Sequence, residues 1–185
     1  MDSIISADLS LEKHATNISA TCFYHLRRLR HNRRTLSKES AATLVHVFVT
    51  SRIDYWNVVF VEVPKTVTNK LQRVLNTAAR VVSGSRKFDR GLTQLIHIEL
   101  HWLDVPERVK YKLGMITRRC QTAPQYLAAH CVPVSATASR QHLRSAASHQ
   151  LVVPSYRLSS YGRRAFSVPE ICVIPFTQTP SLHVY

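Results

Sequence analysis

Apolar residues recur at helical spacing through the first two thirds of the chain. Ile18, Cys22, Leu26 and Leu29 fall at i, i+4, i+8 and i+11, one stripe along a helix, which predicts a segment over about residues 10–31. Ser37 stands where an N-cap belongs, before a second segment on which Leu44, Val45, Phe48 and Val49 form an apolar face; "VEVP" and Pro64 break it. Thr66 is placed to cap a third, in which Leu71, Val74, Leu75, Ala78, Val81 and Val82 share a face and Gly84 holds the C-cap position. After a loop, "DVPE" offers Asp104 as N-cap, Pro106 in the first turn and Glu107 three residues on, a capping-box pattern. Val105, Val109, Leu113, Ile116 and Cys120 follow on one face, and "APQYLAAHC" is a short fifth segment.

Beyond about residue 132 the periodicity fades. Residues 132–168 are rich in Ser and Arg, with short β-like pieces such as "LVVP", and 169–185 carry prolines with no period. The reading is a helical domain over 1–131, a basic extension over 132–168 and a disordered tail over 169–185. Only 4 of the 185 residues are glycine, well under the usual ~7%, which suits helices and leaves no material for a glycine-rich phosphate loop. The expected fold class is all-α: a bundle of about five helices followed by a loosely structured C-terminal region.

Charge changes this picture. Twenty-five Lys and Arg face 11 Asp and Glu, a formal +14, which favours association with polyanions and says nothing of fold. The stretch "CFYHLRRLRHNRR" holds Arg27, Arg28, Arg30, Arg33 and Arg34, and no acid lies between Lys13 and Lys38. A merely solvated helix face interleaves both signs. Arg73 and Arg80 lie seven apart on the third segment, and Arg86 and Lys87 follow its cap. These nine residues are the candidate nucleic-acid contacts, gripping phosphate without reading sequence. Tyr24 and His25 are candidates to stack on bases; Phe23 fits better in the core. For any single arginine, a wet face is the competing reading.

Other chemistry is thin. Two-metal phosphoryl transfer needs carboxylates that hold cations about 4 Å apart; the acids here are scattered, and Asp54, Asp89 and Asp104 sit beside predicted helix ends. "HIELH" spaces His97 and His101 four apart but lacks the H-E-x-x-H order and a third ligand, so it reads as a structural pair. Cys22 with His25, and His130 with Cys131, are half-sites best read as packing. "SLEK" matches S-x-x-K without its companion motifs. No cofactor, metal or catalytic residue is expected. Four scattered cysteines make no disulfide framework, the N-terminus does not read as a signal peptide, and no apolar run approaches the ~20 residues of a membrane span. The expectation is an intracellular protein, cytoplasmic or nuclear, without a membrane partner.

Longer blocks carry a resemblance. "FYHLRRLRHNRRTLSKESAATLVHVFVTSRIDYWN", "KLQRVLNTAARVVSGSRKFD", "LHWLDVPERVKYK" and "APQYL" resemble, in order, parts of the reverse transcriptase of LINE-type (non-LTR) retrotransposons of the CR1/L2/Jockey assemblage. The resemblance covers about residues 4–168 and corresponds to the end of the palm, the helical thumb and the region beyond it. The family's metal-binding aspartates belong upstream of these blocks. The resemblance therefore implies a non-catalytic fragment of an RNA-directed DNA polymerase whose thumb tracks RNA or an RNA–DNA hybrid by phosphate contact. It departs from the family at Trp56, where a small residue is expected, at Asp104, where proline is expected, in the spacing before "LHWL" and "AP", and after Val168. Those departures suit a decayed or frame-shifted copy, so a non-functional relic stands as an alternative. A helical interaction module, with a protein partner in place of the missing palm, is another.

Overall fold

The computed structural model describes residues 11–157 except 62, 122, 123, 130, 148, 149, 154 and 156. Among the described residues the fold is all-α, and each of the five expected segments falls on a helix. The chain divides into two compact units, Met1–Val109 and Lys110–Tyr185. The boundary expected at 131 rests on composition and this division on packing; the two criteria differ.

Helix α1 spans Glu12–His31 and buries His14, Ala15, Ile18, Ser19, Cys22 and Leu26; of the expected stripe, Leu29 is only half-buried. Helix α2, Lys38–Val45, starts at Ser37, whose side chain accepts from the Ser40 N–H at 3.1 Å. A π-helical turn, His46–Thr50, then leads without a break into helix α3, Ser51–Tyr55. That wider turn changes the expected face: Val45 and Val49 are buried, but Phe48 is 37% exposed. The additional residue in the turn rotates Phe48 out of the core stripe and onto the side of α1.

Helix α4, Lys65–Ser83, buries Val67, Leu71, Val74, Leu75, Ala78, Ala79, Val81 and Val82. It ends at Gly84 with φ 77°, a left-handed conformation that glycine adopts without strain. Its start differs from expectation. Pro64 is the N-cap and Thr66 lies inside the first turn, because proline's fixed φ and missing N–H suit the boundary better than a hydroxyl one residue into the helix. The loop before "LHWL" contains an unanticipated short helix, α5, Leu92–Gln94, continued by a π-turn over Leu95–Glu99. There Leu95 and Ile96 pack on Ala79, with Leu92, Leu100 and Trp102 around them.

Two contacts set the relative direction of α1 and α4. At one end Lys70 Nζ donates to Glu12 Oε1 at 2.8 Å and to Thr16 Oγ1 at 3.2 Å. At the other, Arg33 donates to the carbonyls of Val81 and Val82. The two helices therefore run parallel. Helices α2 and α3 return antiparallel to α1, with the Cys22 thiol 3.9 Å from the Val49 carbonyl oxygen and the His14 ring edge-on to Trp56 at 4.6 Å.

Helix α6 spans Val105–Gln121. The Glu107 carboxylate accepts from the Asp104 N–H at 3.2 Å, one half of the expected capping box. Gln72, from α4, supplements it at the same helix start: it accepts from the Val105 N–H at 2.9 Å and donates to Asp104 Oδ1 at 2.7 Å. Asp54 is not a cap. It takes Arg108 Nη1 on both oxygens, at 3.1 and 3.0 Å, and Asn57 Nδ2 at 2.9 Å. Within the first unit this joins α3 to the start of α6.

In the second unit, helix α7 is Gln125–Ala128 and helix α8 is Arg144–Ala147. Cys131 and Leu151 are buried together against Ile116. Val134 N–H donates to Gln150 O, and Val152 N–H to Val132 O, both at 2.8 Å. They frame an isolated antiparallel bridge between Pro133 and Leu151, so the "LVVP" piece pairs in β fashion. The tail 169–185, Arg163, Arg164 and Cys172 lie outside the described residues.

Candidate nucleic-acid interface

The parallel pairing of α1 with α4 decides which arginines come together. Arg27, Arg28 and Arg30 occupy the last turns of α1, and Arg34 follows in the 3-10 turn Arg33–Thr35. All of these but Arg33 are exposed. Arg80 sits half-buried in the last turn of α4, with Arg86 and Lys87 exposed just beyond Gly84. Both groups lie at the C-terminal end of the α1–α4 pair. Arg73 does not: it is exposed but nine residues before Val82, about 14 Å back along the helix.

Arg33 plays another part. Its Nε donates to Val81 O at 2.7 Å, Nη2 to Val82 O at 2.8 Å and Nη1 to Leu36 O at 2.7 Å. The last carbonyls of a helix lack intrahelical donors and carry the negative end of its dipole. A half-buried guanidinium therefore ties the α1–α2 connection to the end of α4, and its donors are turned inward. The sequence gives no sign of this, because the acceptors are 48 and 49 residues away and are backbone oxygens of ordinary valines.

The other arginines are held lightly. Arg27 Nε reaches Phe23 O at 3.3 Å and Arg28 Nη1 reaches Tyr24 Oη at 3.3 Å, both contacts within one helical turn. The Arg28 guanidinium carbon also lies 5.8 Å from the Tyr24 ring centroid. Few carboxylates lie nearby. The α1 run contains none, Glu39 lies in the first turn of α2, Glu99 lies 3.6 Å from Lys38 Nζ, and Asp89 accepts the Arg86 N–H at 2.7 Å.

The aromatic residues of the run divide. Tyr24 is 53% exposed. His25 stacks on Phe48 at 5.1 Å and meets Tyr24 edge-on at 5.4 Å. Burial, with Arg52 and Arg28 close by, holds the His25 imidazole below its ordinary pKa of 6.5. Phe23 is half-buried. Cys22 is wholly buried, and burial pushes its thiol up to about 11 against the opposing pull of Arg52. It serves as packing.

The histidines of "HIELH" do not share a helical face. His97 Nδ1 lies 3.0 Å from Trp102 O and its Nε2 lies 3.7 Å from Asp104 Oδ2. His101 is exposed in a left-handed conformation, φ 52°, beyond the π-turn. Among the described residues no three His, Cys, Asp or Glu side chains gather as metal ligands, and no helix is long and apolar enough to cross a membrane.

No protein-family model, curated protein or solved structure matches the chain.

Proposed function

We propose that this chain binds nucleic acid through its phosphate backbone, without sequence readout and without catalysing polymerisation, as a thumb-like piece of a LINE-type reverse transcriptase. The supporting observation is the basic end of the first unit: Arg27, Arg28, Arg30, Arg34, Arg86 and Lys87 are exposed at one end of two parallel helices. Cations at helix C-termini gain from the dipole, but that explains single residues rather than a set with so few carboxylates. RNA or an RNA–DNA hybrid is the partner that the resemblance favours. Exposed Tyr24 stands beside Arg28, and His25, stacked on Phe48, lies close to Arg52 and Arg28, a setting better suited to an anion than to an apolar protein partner.

The test is a binding titration of the full chain against a labelled RNA–DNA hybrid across about 50–300 mM salt, followed by polarisation. Each neutralised duplex phosphate contributes ~0.9 to the log–log slope. Changing Arg27, Arg28, Arg30 and Arg34 to glutamine, with Arg33 kept, should weaken binding and flatten the slope. A folded wild-type chain that shows no salt-dependent binding refutes the proposal.

A further inference from the structure

Phe88 is 85% exposed, although Leu92, four residues later, packs into the apolar cluster around Ala79, Leu95 and Ile96. Its position is built. The loop "GSRKFDRG" begins and ends with left-handed glycines, Gly84 at φ 77° and Gly91 at φ 84°. Between them Asp89 N–H donates to Arg86 O at 3.3 Å and Arg86 N–H donates to Asp89 Oδ2 at 2.7 Å. These bonds close a four-residue turn with Lys87 and Phe88 at its tip. The Lys87 ammonium lies over the Phe88 ring, 5.2 Å from the centroid, within cation–π range. Arg86 and Arg90 flank the tip. The loop leaves the end of α4 that Arg33 ties to the arginine run.

We propose that Phe88 stacks on an unpaired nucleobase of the bound nucleic acid, such as a single-stranded overhang beside a duplex. This rests on the phosphate-binding reading above. Lys87 covers one face of the ring, which leaves the other for a base, and Arg86, Lys87 and Arg90 provide charge for the adjoining phosphates. Aromatic–base stacking with cationic help is how proteins hold single strands without reading sequence. An anionic membrane offers the same charge. One phenyl ring, however, buries far less apolar surface than a myristoyl chain, which itself binds only marginally.

The experiment compares the full chain with Phe88→Ala, Phe88→Leu and Phe88→Trp on two labelled RNA–DNA hybrids, one blunt and one with a single-stranded overhang. Circular dichroism checks the fold of each variant. Phe88→Ala and Phe88→Leu should bind the overhang hybrid about 5- to 100-fold more weakly. Their salt slopes should not change, since no charge is lost, and the blunt hybrid should bind as before; Phe88→Trp should keep wild-type affinity. Wild-type affinity of Phe88→Leu for the overhang hybrid would show apolar contact rather than stacking and overturn the assignment. So would equal losses on both hybrids, or no loss on either. Phe88-dependent co-sedimentation with phosphatidylserine vesicles, without the overhang effect, would overturn it in favour of a membrane. If wild type binds the blunt hybrid and only the overhang effect is missing, the stacking inference fails alone. If wild type binds neither hybrid, the phosphate-binding reading fails and takes this one with it.

Discussion

Replacing Arg33 with glutamine separates an arginine that holds the fold from those that face solvent. Its guanidinium makes hydrogen bonds of 2.7, 2.8 and 2.7 Å to Val81 O, Val82 O and Leu36 O. A hydrogen bond to a charged group contributes about 1.5–3 kcal/mol, and a cation at a helix C-terminus about 0.3–1 kcal/mol more. The sum does not apply, because the site is only half-buried and water can reach the released carbonyls. A net loss of about 2 kcal/mol is expected, close to the value of one such bond. With a urea slope of about 2 kcal/mol per molar, the midpoint should fall by about 1 M at unchanged slope. Arg34 is exposed, so Arg34→Gln should stay within about 0.5 kcal/mol of wild type. Arg33→Lys should fall between wild type and Arg33→Gln, because a single ammonium cannot reproduce the fork of the guanidinium. Equal midpoints for Arg33→Gln and Arg34→Gln would refute the reasoning and return Arg33 to the solvent-facing set.

Other outcomes follow from the same structure. Gln72→Leu removes the side-chain acceptor for the Val105 N–H and the donor to Asp104, and should cost about 1 kcal/mol in urea unfolding; an unchanged midpoint would mean water replaces it. Asp54→Ala leaves Arg108 without its carboxylate. With Asp54 partly exposed, about 1–2 kcal/mol is expected rather than the 3–5 of a fully buried pair, and Asp54→Asn should recover part of it. His14 and His25 both titrate below their ordinary 6.5, His14 by burial and His25 by burial and nearby Arg52 and Arg28. The unfolded chain therefore binds more protons between the folded values and 6.5, so stability is complete above about 6.5 and falls as pH drops below it. His25→Phe should flatten part of that fall in urea midpoints taken across this range. Cys22, buried and with its thiol raised to about 11, should resist iodoacetamide at pH about 8 until the chain unfolds; peptide mapping that finds early alkylation would contradict its burial.

Much of the fold was legible because helical periodicity is a local property. The stripe Leu71, Val74, Leu75, Ala78, Val81 and Val82 is buried as a set, and the Ser37 and Gly84 caps act through atoms within three residues or through the glycine's own φ. Two local rules gave way to neighbours. Pro64 displaced Thr66 at the start of α4, and the π-turn at His46–Thr50 moved Phe48 from the core to the flank of His25. Leu92, Leu95 and Ile96 carried the spacing of a short helical turn, but too briefly to stand out without Ala79 in view to pack on.

The sequence by itself determined the longer helices, most of their apolar faces and the excess of positive charge, since each depends on residue type and spacing along one element. Tertiary structure decided what the arginines do. The parallel course of α1 and α4 gathers Arg27, Arg28, Arg30, Arg34, Arg86 and Lys87 at one end and leaves Arg73 behind. Arg33, indistinguishable from Arg34 in the run, turns inward because unpaired carbonyls of a distant helix lie within its reach. A side chain's partners across dozens of residues depend on how helices pack, and no local pattern records that.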